Sequence, residues 1–231
     1  TVAMNELGGD AIEILAANTK GEEPEDTARV LAGYCHGIMA RTYSHKTLER
    51  MVQVSKAAVI NGLSDFHHPC QALADLLALK ERFGSLEGLK IAYVGDGNNV
   101  LHSLLLLAPL LGVEVRFACP KGYAPDPHVL ASALERCVGT GGAVVPCPTP
   151  ADAVRGVQGI YTDVWTSMGF EAEKAKREEA FKGYQVNADL YALADKNAGI
   201  MHCLPMVPGQ EITREMAEHP NSIIFQQSEN R

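Results

Sequence analysis

Short apolar runs alternate with longer segments of helical periodicity along most of this chain. The runs are rich in Val, Ile and Ala and are bounded by turn residues, as is typical of strands buried in a parallel sheet. The longer segments repeat apolar residues every three or four positions, which predicts amphipathic helices. We therefore expect an α/β fold with two doubly wound parallel-sheet domains joined by a bridging helix.

The same pattern sets the expected boundaries of the elements. Strands are predicted at 11–15, 37–41, 57–61, 90–95, 114–118, 143–146, 159–163, 200–203 and 222–225. Helices are predicted at 25–35, 46–54, 69–83, 99–111, 127–137, 149–155, 171–181, 187–194 and 212–218. The helix at 69–83 is the expected bridge. It divides a first domain at 1–68 from a second at 84–225, and 226–231 starts a return segment.

The predicted helix at 171–181 is the most densely charged segment of the chain. Glu173 and Arg177 are four residues apart, as are Lys174 and Glu178, so opposite charges lie side by side on a helix surface. This spacing is typical of a solvent-exposed helix. We therefore interpret these charges as surface charges rather than as a binding site.

The first candidate site lies at the start of the helix predicted at 69–83. Pro69 has no backbone N–H to donate and fits the first helical position. His68 then stands at the helix start, and Gln71 lies three residues further on the same face. A helix N-terminus carries partial positive charge. The combination suits a carbonyl oxygen that gains negative charge, which indicates an acyl-type transfer.

A glycine turn at 93–99, TyrValGlyAspGlyAsnAsn, follows a predicted strand and opens a predicted helix. It resembles a dinucleotide-binding fingerprint, but Val100 occupies the position of the third glycine. The sequence therefore argues against a nicotinamide cofactor. One of Asn98 and Asn99 can cap the helix while the other binds a ligand, and we expect Asn99 to be the binding residue.

Two further strand ends carry polar residues. Asp163 ends the strand at 159–163, where it can pair with a cationic substrate group or cap the following turn. Ser167 and Met168 follow in a segment suited to closing over a ligand. Cys203 lies in MetHisCysLeuPro at 201–205 beside a histidine, but adjacent strand residues point to opposite faces. We therefore expect Cys203 to contact substrate without a metal or a covalent bond.

Composition excludes some classes of partner. The 231 residues carry a formal net charge of −8, which argues against nonspecific nucleic-acid binding. The longest apolar run, 104–112, contains a proline and is too short to span a bilayer, so no membrane association is expected. The six cysteines form no Cys-x-x-Cys pair and are interpreted as reduced thiols of a cytosol-like compartment.

Five short motifs together carry a resemblance over essentially the whole chain. They are HisProCysGln at 68–71, GlyAspGlyAsnAsn at 95–99, AspValTrpThrSerMetGly at 163–169, HisCysLeuPro at 202–205 and SerGluAsnArg at 228–231. In this order they resemble the ornithine branch of the aspartate/ornithine carbamoyltransferase family. The resemblance implies two α/β domains, trimers or multiples of trimers, and no metal or organic cofactor. It implies carbamoyl phosphate and L-ornithine as substrates, with L-citrulline and phosphate as products.

The resemblance also implies roles for individual residues. Those matching carbamoyl phosphate positions are Arg41, His68, Gln71 and Arg231. Those matching ornithine positions are Asn99, Asp163, Ser167, Met168, Cys203 and Leu204. The expected catalytic set is Arg41, His68, Gln71 and Cys203.

The chain departs from the family pattern at both ends. The Ser-x-Arg-Thr-Arg phosphate turn expected before AlaMetAsnGluLeuGlyGly is absent, and so is the closing helix. We therefore expect a fragment that is inactive alone. Two alternatives stay open: a carbamoyltransferase for another amine, such as acetylornithine or putrescine, and a non-catalytic binding or regulatory protein. A cytoplasmic location is expected, with the mitochondrial matrix as the other option.

Overall fold

The computed structural model describes residues 2–15, 21–166 and 171–231 of the chain, without the side chain of residue 171. Internal contacts divide the chain into two compact units. The smaller unit comprises Thr1–Ala40 and Lys46–Ile60, and the larger unit comprises Arg41–His45 and Asn61–Arg231. Among the helices described, none is long and apolar enough to cross a membrane.

The first five elements belong mainly to the smaller unit. They are α1 (Val2–Glu6), α2 (Pro24–Leu31), β1 (Gly37–Arg41), α3 (His45–Val54) and β2 (Ala58–Leu63). The strands β1 and β2 pair as a two-stranded sheet. A small apolar core forms around Ala28, Ile38 and Met51, one residue from each of α2, β1 and α3.

The larger unit contains a five-stranded parallel sheet and most of the helices. Its strands are β3 (Lys90–Val94), β4 (Glu114–Ala118), β5 (Ala143–Pro146), β6 (Gly159–Thr162) and β7 (Gly199–His202). Its helices are α4 (Pro69–Phe83), α5 (Asn99–Leu107), α6 (Pro127–Arg136), α7 (Pro150–Val154), α8 (Lys174–Ala180), α9 (Ala188–Tyr191), α10 (Arg214–Ala217) and α11 (Ile224–Asn230).

The strand order β5-β4-β3-β6-β7 reverses direction at β3, so the unit is doubly wound. The chain runs outward from β3 through β4 to β5 and then returns to the other side of β3 as β6. The carboxyl ends of β3 and β6 therefore lie side by side. In open parallel sheets this switch point is where ligands bind.

The pleat of β3 divides the core into two apolar clusters. Ile91 and Tyr93 belong to one cluster, which includes Leu79 of α4 and Leu101 of α5. Ala92 and Val94 belong to the other, which α7 and the carboxyl-terminal helices supply. Because successive strand residues point to opposite faces, the four buried residues of β3, at 91–94, contribute to both clusters.

The predicted α/β class and the doubly wound parallel sheet are confirmed, and α4 has the predicted limits. Two predicted strands are wrong. Residues 11–15 form no strand and are exposed, because the alternating pattern there finds no neighbouring strand to pair with. At 222–225 only Ser222 forms an isolated bridge, to Ile200, and Ile224 begins α11 and packs into the core.

The helix predicted at 99–111 also ends early. Its α-helical part, α5, stops at Leu107, and a 3-10 turn covers Ala108–Leu111. Pro109 lies in this turn, where it cannot donate the hydrogen bond that an α-helix interior needs. By its contacts α4 belongs to the larger unit. The predicted domain limits at 68 and 84 stay predictions.

Packing of α4 leads to a stability prediction with a control on the same helix. Leu79 is fully buried and Leu77 is 44% exposed. Leu79→Ala should lower the free energy of unfolding by about 2–5 kcal/mol, because it removes buried contacts and leaves a cavity. Leu77→Ala should lower it by less than about 1 kcal/mol. Urea unfolding followed by circular dichroism measures both, and equal losses would contradict this placement of α4.

Candidate active site

His68 stands at the N-cap position of α4, directly before Pro69. Its backbone N–H donates to Ser103 Oγ at 2.8 Å, which joins the start of α4 to α5. The imidazole is buried and its Nδ1 has no hydrogen-bond partner among the residues described. Burial, and next the charges of Arg231 and Arg41, lower the pKa of His68 to about 4. The ring is therefore neutral at pH 7 beside the positive end of a helix.

Arg231 connects the start of α4 to the end of β7. Its Nη1 donates to Gln71 Oε1 at 2.8 Å and to the carbonyl oxygen of Cys203 at 3.0 Å. Gln71 is fully buried one turn into α4. The helix start, the end of β7 and the last residue of the chain thus meet at one place.

Asp163, at the end of β6, accepts hydrogen bonds from three of the residues that the structure describes. Its Oδ1 accepts from the thiol of Cys203 at 2.9 Å and from the backbone N–H of Val164 at 2.7 Å. Its Oδ2 accepts from Asn98 Nδ2 at 2.6 Å. Burial, and next the charge of Asp163, raise the pKa of the Cys203 thiol well above its usual value. Cys203 is therefore a thiol, not a thiolate, at neutral pH.

The two asparagines of the glycine turn divide their roles. Asn98 caps α5, its Oδ1 accepting from the backbone N–H of Val100 at 3.0 Å and of Leu101 at 3.3 Å. The prediction that one asparagine caps is confirmed. Asn99 Nδ2 donates to the carbonyl oxygen of Ser64 at 2.6 Å. Its substrate role stays a prediction.

The turn itself requires glycine for a packing reason. A Cβ on Gly97 would lie 2.3 Å from the backbone carbon of Ala124 and from the nitrogen of Pro125. The backbone N–H of Gly97 donates to the carbonyl oxygen of Tyr123 at 2.8 Å. The close approach at Gly97 is therefore to the segment before α6.

The interpretation of Arg177 as a surface charge is wrong. Its guanidinium is buried, and Nη1 donates to Asp96 Oδ2 at 2.6 Å and to the carbonyl oxygen of Trp165 at 3.0 Å. It also lies 4.9 Å from the ring centre of Tyr123. Helical spacing indicated the pairs Glu173–Arg177 and Lys174–Glu178 but not the partner Asp96, which lies 81 positions earlier in the chain.

The prediction that His202 and Cys203 point to opposite faces is also wrong. The strand β7 ends at His202, so strand alternation does not extend to Cys203. Asp163, His202 and Cys203 each offer one possible metal-ligand atom, and these three atoms lie within 4.8 Å of one another. However, His202 Nδ1 accepts from the N–H of Leu204 at 2.9 Å, and Nε2 donates to Glu211 Oε1 at 3.1 Å. Both ring nitrogens are engaged, so this donor set fits a metal poorly.

The described residues thus bring most of the expected site together. Direct contacts link Gln71, Arg231, Cys203 and Asp163, and His68 stands at the same helix start as Gln71. Leu204 follows Cys203, while Arg41 is exposed in the same unit and acts on His68 through its charge. The predicted Ser167 and Met168 lie outside the described residues.

The bond from Asn98 to Asp163 escaped the sequence reasoning, which considered Asn98 only as a helix cap or a ligand-binding residue. Two polar residues behind the site, Asp75 and Gln227, were missed altogether; they bond each other next to Gln71. Only Asp75 gave a signal, because it lies four residues after Gln71 on an otherwise apolar helix face. Gln227 meets Asp75 across 152 positions of sequence, which no local pattern indicates.

A doubly wound sheet with a polar cluster at its switch point is typical of an enzyme that binds a small ligand. Comparison with known proteins specifies the family. Residues 1–81 match the family model for the carbamoyl-P binding domain of aspartate/ornithine carbamoyltransferases. Residues 87–231 match the model for their Asp/Orn binding domain. The chain belongs to the aspartate/ornithine carbamoyltransferase family.

Individual relatives agree with the family models. The chain is 48% identical over 234 residues to an ornithine carbamoyltransferase of Gloeobacter violaceus, covering 100% of this chain and 75% of the relative. A solved ornithine carbamoyltransferase from Pyrococcus furiosus superposes with a TM-score of 0.94 at 46% identity, over 99% of this chain and 74% of that one. A solved N-acetyl-L-ornithine transcarbamylase is 25% identical and superposes with a TM-score of 0.84, covering 99% of this chain and 80% of that one.

The environment of His68 leads to a titration prediction. The imidazole should titrate with a midpoint of about 4 rather than 6.5, because burial and two arginine charges oppose its protonation. Arg231→Met should raise the midpoint by removing one of those charges. Lys174→Met, which removes an exposed charge on α8, should leave it unchanged. NMR of the ring protons measures all three, and a parent midpoint near 6.5 would show that the ring is not buried.

Proposed function

We propose that this protein transfers the carbamoyl group of carbamoyl phosphate to the δ-amine of L-ornithine, giving L-citrulline and phosphate. One observation carries the proposal. A continuous set of contacts joins the start of α4, through Gln71 and Arg231, to Cys203 and Asp163 at the ends of β7 and β6. The end assigned to the anionic substrate and the end assigned to the ammonium group of the other substrate thus adjoin each other. The ornithine carbamoyltransferases to which the chain is 46–48% identical support the same chemistry.

The carbamoyl half of the reaction belongs to the helix start. His68 is neutral, and its ring nitrogen Nδ1, beside the N-terminus of α4, has no hydrogen-bond partner in the described part of the chain. We assign it to the carbamoyl oxygen, which gains negative charge when the carbon is attacked. Arg41 and Arg231 supply positive charge for the phosphate, which leaves as the C–O bond breaks. Gln71 orients the carbamoyl amide.

The ornithine half belongs to the strand ends. Asp163 is a buried carboxylate at the end of β6 and is assigned to the α-ammonium group of the amino acid. Asn99, Ser167 and Met168 are assigned to its carboxylate. Cys203 and Leu204 are assigned to the δ-amine, which forms the new C–N bond in its neutral form and then loses a proton. Alignment of two bound substrates supplies much of the acceleration.

The oligomeric state, the location and the metabolic role are proposed in the same way. We propose a homotrimer or a multiple of trimers in the cytoplasm, working without a metal or organic cofactor. A role in arginine biosynthesis is supported by a relative from Pyrococcus furiosus, 46% identical, whose name is ornithine carbamoyltransferase, anabolic.

Citrulline formation tests the proposed function directly. The full-length enzyme, with carbamoyl phosphate, should show a kcat/KM for ornithine at least about 100-fold above that for putrescine or acetylornithine. Acetylornithine carries an amide in place of the α-ammonium group that Asp163 is assigned to bind. Putrescine lacks the α-carboxylate that Asn99, Ser167 and Met168 are assigned to bind. Preference for either one would overturn the substrate assignment. No product from any of the three would favour a non-catalytic binding protein.

A substitution at His68 tests the assigned mechanism. His68→Ala should lower kcat by about 10²–10³-fold, because it removes a donor aimed at the developing oxyanion. The KM for ornithine should change little, since ornithine is assigned to other residues. His128→Ala, on the exposed side of α6, serves as the control. Steady-state kinetics measures both, and an unchanged kcat in His68→Ala would exclude the assigned role.

A further inference from the structure

We propose that Asp75 is a positioning residue that, together with Gln227, holds the Gln71 amide with its carbonyl oxygen towards the substrate, where it accepts a hydrogen bond from the carbamoyl NH₂ group. This inference rests on the proposed function, because it assumes that Gln71 meets the carbamoyl group. It adds residues that lie behind the site and gives them a defined task.

Asp75 is the common acceptor of two buried amides. Its Oδ1 accepts from Gln71 Nε2 at 2.7 Å and from Gln227 Nε2 at 2.5 Å. All three side chains are fully buried. Gln71 and Asp75 lie one turn apart on α4, whereas Gln227 belongs to α11. The carboxyl group thus bonds α4 and α11 together behind the site.

The donor at each end of this chain of hydrogen bonds sets its direction. The backbone N–H of His202 donates to Gln227 Oε1 at 3.0 Å, and a peptide N–H has no acceptor role. Gln227 must therefore present its NH₂ group to Asp75. At the other end, the guanidinium of Arg231 donates to Gln71 Oε1 at 2.8 Å and also cannot accept.

Asp75 consequently receives NH₂ groups from both sides, and only an acceptor oxygen satisfies them. An inverted Gln71 amide would place its carbonyl oxygen against Asp75 Oδ1 and its NH₂ group against Arg231, losing both hydrogen bonds. In the held orientation Gln71 Oε1 keeps a second lone pair beside its bond to Arg231. That lone pair is complementary to an NH₂ group of a ligand and not to a methyl group.

Burial alone does not explain a carboxyl group at this position. Burial raises the pKa of Asp75 to about 7, against the hydrogen bonds from Gln71 and Gln227, which lower it. Placing such a group inside a protein costs stability unless its hydrogen bonds are satisfied. The Oδ1 bonds hold Gln71 and Gln227, and of these Gln71 is the residue that also bonds Arg231 at the site.

The test compares two phosphates that differ at the group Gln71 recognises. Carbamoyl phosphate carries NH₂ where acetyl phosphate carries CH₃. Isothermal calorimetry on the full-length protein measures the affinity for each. The affinity for carbamoyl phosphate divided by that for acetyl phosphate is the ratio that reports the Gln71 contact. In Asp75→Leu the ratio should fall about tenfold, because the unsupported amide no longer presents its oxygen. In Asp75→Asn the ratio should stay within about twofold of the parent, since Asn Oδ1 can accept from both amides.

A control and a second variant complete the experiment. Gln226→Leu removes a surface amide of α11, bonded to Glu81, and should leave the ratio unchanged. Gln227→Leu leaves Asp75 bonded to Gln71 alone, so the ratio should fall about threefold. This variant decides the question if circular dichroism shows that Asp75→Leu does not fold.

The outcomes separate this inference from the proposed function. An unchanged ratio in Asp75→Leu, or in Gln227→Leu where the first does not fold, overturns the inference while citrulline formation by the parent still supports the function. If the affinity ratio of Asp75→Asn falls as far as that of Asp75→Leu, the inference is also overturned, because an acceptor oxygen at this position would then be insufficient. A parent that binds both phosphates but forms no citrulline overturns the function alone, since the binding ratio needs no turnover.

Discussion

The reversal of strand order at β3 is the constraint on which the site depends. Because β4 and β6 lie on opposite sides of β3, the turns after β3 and β6 open next to each other. Asn98, after β3, can then bond Asp163, after β6, across 65 positions of sequence. Cys203, after the adjacent β7, bonds the same carboxylate. A simple outward order of strands would separate these three groups.

Two buried polar networks meet at this edge of the sheet with different tasks. One centres on Asp163 and links the ends of β3, β6 and β7. The other runs through Asp75 and joins α4 to α11 and to the backbone of His202. Arg231 connects them, because it bonds both Gln71 and the carbonyl oxygen of Cys203. Each donor in these links has an acceptor, so the two networks hold the side chains of the site in place.

Sequence reasoning succeeded where a feature is local. Pro69 and the apolar spacing after it defined α4, and the paired asparagines indicated a cap that Asn98 provides. It failed where a partner lies far along the chain. Arg177 looked like a surface charge because its neighbours on α8 are exposed, yet its partner Asp96 belongs to the turn after β3. The segment at 222–225 looked like a strand because apolar β-branched residues also suit a buried helix start.

The sequence by itself determined the α/β class, the position of α4, the family and the candidate residues, because periodicity, helix-start chemistry and short motifs are properties of neighbouring residues. Only the tertiary structure decided which side chains meet. The pairing of His202 with Glu211 and the bonding of Gln227 to Asp75 both depend on how helices and loops pack around the sheet. Burial then decided that His68 is neutral and that Cys203 keeps its proton, because desolvation, not residue type, shifts each pKa.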